Sequence, residues 1–213
     1  MRDQTLESAG VQNLKAGLTA SAASIAWTAC SSAAAITFGM LAGSIVLVAF
    51  GAVGVFDMCG SIALVLHFRH AIRHESFSER HEAVALRLVT FGLAVVGLAT
   101  LAASILRLVR TGHTTEPVGG IVVAGCSIVV LGFLGVRKRR LGRVIPSPAL
   151  VADGWLSLIG GGTAAGTVVG LVLNKTLDWS WPDPVAAMVV AVAALAVAAA
   201  NLRSLRSPRG ARR

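Results

Sequence analysis

Two aspartates stand inside long apolar stretches of the sequence. Asp57 lies near the middle of the stretch that begins at Ser44, and Asp153 lies about a turn and a half into the stretch that opens with Ser147 and Pro148. A carboxylate at hydrocarbon depth is costly unless it is paired or solvated, and such residues usually mark a pathway. Two acids in a low dielectric repel each other and resist ionising, and a metal ion or a proton relieves that repulsion. The pair therefore predicts an exchanger that holds protons in one state and a divalent cation in another.

The helical period places a serine on the same face as each aspartate. Asp57 shares its face with Gly60 and Ser61, and Asp153 shares its face with Ser157. At about 1.5 Å per residue, Asp57 is roughly 14 Å and Asp153 roughly 7 Å from the cytoplasmic side, so Asp57 is nearer in level to Ser157 than to Asp153. We expect Asp57 as the main metal ligand, Asp153 as a second ligand or relay, and both serines as oxygen donors. Alternatively, each aspartate is neutral or capped by a serine and serves only helix packing.

Other polar residues flank the apolar stretches. His81 and Glu82 precede the third stretch and are expected at the cytoplasmic mouth of the pathway. Histidines and glutamates of the 67–87 region could collect a soft divalent ion, although a solvated loop is the favoured interpretation. Asp183, in Trp-Pro-Asp-Pro, is expected to cap the sixth helix at the outer surface, with an outer exit as the alternative.

The composition indicates a polytopic membrane protein. The chain has 213 residues, of which 55% are hydrophobic and 14% charged, and its mean hydropathy is +0.76, whereas soluble domains carry about 25% charged residues. The three cysteines are isolated in apolar segments, which excludes a disulfide framework or a thiolate zinc site. The net charge of +9 fits membrane topology better than nucleic-acid binding, for which no motif is present.

Six apolar spans are expected, and their flanking charges orient them. The spans cover residues 18–37, 44–66, 86–108, 118–136, 149–173 and 184–202, each near the ~20 residues that cross the hydrocarbon. All but three of the 19 Lys and Arg residues fall on one side, the exceptions being Arg107, Arg110 and Lys175. The sequence therefore predicts an all-α six-helix transmembrane bundle with both termini in the cytoplasm. The basic run at 137–143 is interpreted as a cytoplasmic topology determinant.

The predicted organisation has one membrane domain between two short polar segments. Residues 1–17 form a cytoplasmic N-terminal segment, residues 18–202 the six-helix domain, and residues 203–213 a short basic cytoplasmic tail. We expect no soluble domain at either end. The lipid bilayer is the predicted partner, in the plasma or inner membrane, and nucleic acid is not.

Four motifs in order resemble the cation diffusion facilitator family, whose members export zinc and related divalent metals as dimers. They are the S-x-A-L-x-A-D-x-x-x-S pattern at residues 147–157, the run from Ser44 to Asp57, the sequence Arg80-His81-Glu82-Ala83, and Asp183-Pro184. The resemblance covers residues 44–202, and the run at 149–161 looks closest to a tail-less vesicular zinc-transporter branch. It implies a homodimer that exports cations by alternating access and proton exchange.

The chain departs from the pattern of that family at the metal ligands. The family takes two acids from helix 2 and a His and an Asp from helix 5, and here only Asp57 matches. The other positions fall on Val53, Leu156 and Gly160, and Asp153 matches a position that is not usually a direct ligand. Zinc sites need about four ligands that include nitrogen or sulfur. The ligands that remain here are mainly oxygens, which also suit manganese or magnesium or a site of low selectivity.

Two functions are therefore weighed. The first is a divalent cation transporter, for zinc or a similar ion, that exports from the cytoplasm by proton antiport and needs no cofactor. The alternative is a non-transporting degenerate relative that acts in assembly or regulation of another transporter. No nucleophile–base pair or motif of metal catalysis is present, so no enzyme activity is expected.

Overall fold

The chain folds into six long α-helices in a computed structural model, which describes residues 2–42, 45–74, 79–109, 118–177 and 182–206. The helices are α1 (Arg2–Ala42), α2 (Ile45–His74), α3 (Glu79–Val109), α4 (Val118–Val144), α5 (Pro148–Leu177) and α6 (Pro182–Arg206). Among the described residues, segments of α1, α2, α3, α4 and α6 are long and apolar enough to cross a membrane. α5 has 30 residues, more than the ~20 that a span requires. The predicted all-α fold of six helices is confirmed.

α5 occupies the interior of the bundle. It packs against α2, α3, α4 and α6, while α1 packs against α2 and α4, and α3 packs against α6. The buried apolar core joins α2, α3 and α5, with Phe68, Val89 and Leu156 among its members, and α6 adds Ala194 and Ala198. Asp153 and Ser157 of α5 are therefore enclosed by other helices.

The outward faces of the bundle are apolar. Phe91, Leu98, Val129, Phe133 and Val189 are all exposed. Continuous helices satisfy their own backbone hydrogen bonds, so such faces are stable against lipid tails. This arrangement agrees with a bundle that has its polar groups inside and its apolar groups towards the bilayer.

Two close helix contacts depend on glycine. A Cβ atom on Gly154 of α5 would lie 2.8 Å from the Gly135 carbonyl oxygen of α4. A Cβ atom on Gly54 of α2 would overlap the Ser32 hydroxyl of α1. The absent side chains let these backbones approach closely, as small residues commonly do between membrane helices. The Gly135–Gly154 contact lies beside Asp153, and the Gly54–Ser32 contact lies one turn from Asp57.

Candidate functional site

Asp57 is enclosed near the middle of α2, with 5% of its surface exposed. The Thr28 hydroxyl of α1 donates a hydrogen bond to Oδ2 at 3.0 Å. The Ser157 hydroxyl of α5 donates to Oδ1 at 3.3 Å. This hydrogen bond agrees with the expectation that Asp57 is nearer in level to Ser157 than to Asp153. Both carboxylate oxygens therefore accept hydrogen bonds from neutral hydroxyl groups. These hydroxyl groups would also hold Asp57 in place when it binds a cation.

A small cavity adjoins the Asp57 carboxylate, and we call it the Asp57 cavity. Its volume is about 20 Å³, which is about enough for one water molecule. Most of the surface that faces this space is apolar. The hydroxyl-bearing residues of the lining come from α1 and, with Ser157, from α5. The lining residues are Thr28, Ser31, Ser32, Gly54, Asp57, Leu131, Leu156, Ser157 and Gly160.

Asp153 forms a buried ion pair with a lysine. Nζ of Lys138 in α4 lies 2.6 Å from Oδ2 of Asp153, and both side chains have 0% exposure. The Ser61 hydroxyl also donates to Asp153, at 3.2 Å from Oδ2 and 3.3 Å from Oδ1. A buried charge needs this degree of pairing, because an unpaired one is strongly destabilising. The charge of the Asp153 carboxylate is thus compensated within the protein.

The ammonium group of Lys138 donates to three hydroxyls besides contacting Asp153. Its Nζ lies 2.7 Å from Ser24 Oγ, 3.0 Å from Ser61 Oγ and 3.1 Å from Ser157 Oγ. We call Ser24, Ser61, Lys138, Asp153 and Ser157 the Lys138 cluster. The cluster joins α1, α2, α4 and α5, and Ser157 connects it directly to Asp57.

The prediction that the fourth helix ends at residue 136, with Lys138 in an exposed basic run beyond it, is wrong. α4 continues to Val144, about two turns beyond the predicted end of the span, and carries Lys138 inward on the face of Leu131 and Leu134, which are also buried. The spacing of these three positions, three and then four residues, is that of one helix face. That periodicity could have singled out Lys138, whereas its neighbours Arg137 and Arg140 are exposed.

The hydroxyls of α1 are a second feature that the sequence reasoning missed. Ser21, Ser24, Thr28, Ser31 and Ser32 are all buried. They recur at intervals of three and four residues, which again describes one face of a helix. Polar residues on a single face of an apolar helix indicate that this face points into the bundle.

The described residues that line the Asp57 cavity include one carboxylate and no histidine or cysteine, unlike a conventional zinc site. Leu156 and Gly160 line the Asp57 cavity, and the side chain of Val53 lies outside the described residues. Among the side chains that the structure describes, no three His, Cys, Asp or Glu residues are grouped to hold a metal ion. A cation at Asp57 would therefore be held by one carboxylate and by hydroxyl oxygens.

Glu82 of α3 is buried against the start of α5. Its Oε1 accepts hydrogen bonds from the Ser147 hydroxyl and the Ala149 backbone N–H, both at 2.8 Å. Its Oε2 lies 3.0 Å from Nε2 of His67. Ser147 also caps the helix, since its hydroxyl accepts from the Leu150 N–H at 3.2 Å, as the Ser-Pro start predicts. Glu82 thus joins three helices at one point.

The two other predicted site residues are His81 and Asp183. His81 is exposed, and its ring centre is 4.6 Å from that of His70. The side chain of Asp183 falls outside the part of the chain that the structure describes. The roles assigned to His81, Glu82 and Asp183 in entry and exit stay predictions.

The match to a family model shows which protein family these helices belong to. The model of the cation efflux transmembrane domain matches residues 21–207, which includes every helix that contributes to the site. The chain belongs to the cation efflux family. Comparison with functionally curated proteins finds no match for it.

Membership in the cation efflux family confirms the resemblance seen in the sequence at the level of the family. It makes the chain a multi-pass membrane protein with a domain for divalent cation transport, and not an enzyme. Within this family domain, the Asp57 cavity, the Lys138 cluster and the contacts of Glu82 are buried polar features that join helices.

Proposed function

We propose that the chain exports a divalent cation, zinc or a similar ion, from the cytoplasm in exchange for protons. The observation that carries this proposal is the buried Asp57 carboxylate, which accepts a hydrogen bond from the Thr28 hydroxyl of α1 and borders a cavity of about 20 Å³. A purely packed helix has no evident use for a carboxylate at that depth. Asp57 is the main ligand, and alternating access of the bundle exposes it to each side in turn.

The donor set favours a hard cation over zinc. Carboxylate and hydroxyl oxygens suit manganese and magnesium, whereas zinc sites normally include nitrogen or sulfur. Manganese is therefore the first ion to test, and zinc the second. Ser157 supplies a neutral oxygen beside Asp57. Asp153 and Ser61 supply further oxygens along the pathway, and both contact Lys138.

The surroundings of the site complete the proposal. His81 and Glu82 stand at the cytoplasmic mouth and Asp183 at the outer exit. Both termini are cytoplasmic by the distribution of Lys and Arg, and the protein is a homodimer in the plasma or inner membrane. A place near the tail-less vesicular zinc-transporter branch rests on the run at 149–161.

Reconstitution into liposomes tests the function. Wild-type protein should move Mn²⁺ or Zn²⁺ with an opposing proton flux, and Asp57→Asn should not. Asp3→Asn, the same chemical change in the N-terminal segment, should transport like wild type. Absence of metal flux in folded wild-type protein, or equal flux in Asp57→Asn, would contradict the proposal.

One observation favours the alternative of a non-transporting relative. Lys138 already neutralises Asp153, so the pair of acids predicted from the sequence is reduced to one uncompensated carboxylate. Under this alternative, folded wild-type protein binds no divalent metal in a titration, and loss of Asp57 alters only stability.

A further inference from the structure

The Lys138 ammonium occupies the position that the sequence would assign to a bound metal. Three of the four proposed ligands contact it, namely Asp153 at 2.6 Å, Ser61 at 3.0 Å and Ser157 at 3.1 Å. An ammonium group has three protons to donate and no acceptor, and with Ser24 at 2.7 Å four oxygens share these three donors. The shell around Nζ is thus a cation site whose occupant is covalently attached to α4.

The two halves of the site, the Asp57 cavity and the Lys138 cluster, differ in charge as a consequence. The Lys138–Asp153 pair is neutral as a unit, with one ammonium and one carboxylate at 0% exposure. Asp57 instead receives hydrogen bonds from the neutral hydroxyls of Thr28 and Ser157. The attraction for a mobile cation is therefore concentrated at Asp57, on the side that carries the α1 hydroxyls.

We propose that Lys138 is a tethered cation that holds Asp153, Ser61 and Ser157 and so confines a transported cation to Asp57, Thr28, Ser31 and Ser32. This inference rests on the proposed function and adds a specificity-determining residue to it. Ser157 is the contact between the two halves, since it donates to Asp57 and accepts from Lys138. Lys138 limits the site to one divalent ion per protomer, because a second ion at Asp153 would have to displace it.

Three variants of the purified full-length protein in detergent, titrated with MnCl₂ by calorimetry, test this inference. Lys138→Gln releases Asp153 as a further ligand, so it should bind Mn²⁺ at least ~10-fold more tightly or bind a second ion. Asp153→Asn leaves the ammonium without its counter-ion next to Asp57, so it should weaken binding by at least ~10-fold. The double variant Lys138→Gln/Asp153→Asn should recover most of that loss, because neither position then carries a charge.

The double variant separates this inference from a role of Asp153 as a metal ligand. If Asp153 itself holds the ion, Asp153→Asn weakens binding and the added Lys138→Gln change brings no recovery, which would overturn the inference. Wild-type affinity in both single variants would overturn it as well. Should Lys138→Gln not be obtained folded, the comparison of Asp153→Asn with the double variant still decides.

Two further proteins distinguish failure of this inference from failure of the proposed function. Arg137→Gln removes a positive charge at the exposed neighbouring position and should bind Mn²⁺ like wild type. Asp57→Asn should bind none. If wild type and Asp57→Asn are alike in binding no metal, the proposed function fails, whereas loss in Asp57→Asn without recovery in the double variant rejects only the role of Lys138.

Discussion

The hydroxyl of Ser157 lies 3.3 Å from Oδ1 of Asp57 and donates a hydrogen bond to it. The same hydroxyl accepts from Lys138 at 3.1 Å, so one side chain of α5 connects the Asp57 cavity to the Lys138 cluster. A cation at Asp57 and the ammonium of Lys138 are therefore separated by a single hydroxyl group.

Replacing Ser157 by alanine should weaken Mn²⁺ binding moderately. A net hydrogen-bond contribution of about 1 kcal/mol corresponds to a loss of roughly five-fold in affinity. Calorimetric titration measures the effect, with Ser204→Ala as the control, because Ser204 is exposed and only bonds the Asn201 carbonyl of its own helix. A complete loss of binding would instead assign Ser157 to the metal's direct ligands.

Stability should respond in opposite ways to single and paired changes of the Lys138–Asp153 ion pair. Removing one partner of a buried pair typically costs about 3–5 kcal/mol, because the other charge is left buried and uncompensated. Lys138→Met should therefore lower the melting temperature in detergent sharply, and Lys138→Met/Asp153→Leu should regain most of it. A single variant as stable as wild type would show that Asp153 has another partner or is uncharged.

The contact between α4 and α5 should be sensitive to one added methyl group. Gly154→Ala would place Cβ 2.6 Å from Cγ of Arg139 and 2.8 Å from the Gly135 carbonyl oxygen, and such overpacking costs about 1–3 kcal/mol. Gly125→Ala in α4 is the matched control, because its Cβ would meet no atom within 4 Å. Thermal unfolding should show a loss for the first variant and no loss for the second.

Metal binding should stabilise the fold, and Asp57 should be required for it. At a free ion concentration of about 100 times the dissociation constant, a single site adds about 2.7 kcal/mol to the free energy of unfolding. Melting curves with rising MnCl₂ measure this in wild type and Asp57→Asn. An equal shift in both proteins would place the binding site elsewhere.

The start of α5 should depend on the Glu82 carboxylate. Glu82→Ala leaves the Ala149 N–H and the Ser147 hydroxyl without their acceptor, a cost of about 1–3 kcal/mol for a buried group. Glu82→Gln keeps an oxygen acceptor and should lose less, and Arg80→Ala, at an exposed position one residue before His81, should lose little. Unfolding temperatures rank the three variants, and equal values for the two Glu82 variants would contradict the capping role.

Much of the fold follows from the sequence because hydropathy is a sum over many residues. The six apolar stretches, the start of α5 at Ser147-Pro148 and the depth of each acid along its own helix depend on one helix and its regular rise. Such features do not require knowledge of how the helices are arranged around one another.

The partner of Asp153 was not predictable in the same way. Lys138 lies in a basic run, and positive charges next to a span normally indicate topology. Its burial depends on the continuation of α4 past the hydrocarbon length and on the Gly135–Gly154 contact, which brings α4 against α5. The spacing of the α1 hydroxyls predicts that they share one face, but which helix that face contacts depends on the packing of α1 against α2.

The Gly135–Gly154 contact also has an electrical consequence. Because the backbones of α4 and α5 touch there, any rearrangement that preserves the contact carries Lys138 and Asp153 together as a neutral pair. Moving a neutral pair through the membrane potential does no net electrical work, whereas one elementary charge experiences about 2.3 kcal/mol per 100 mV. The voltage across the membrane would then act on the contents of the Asp57 cavity and not on the ion pair beside it.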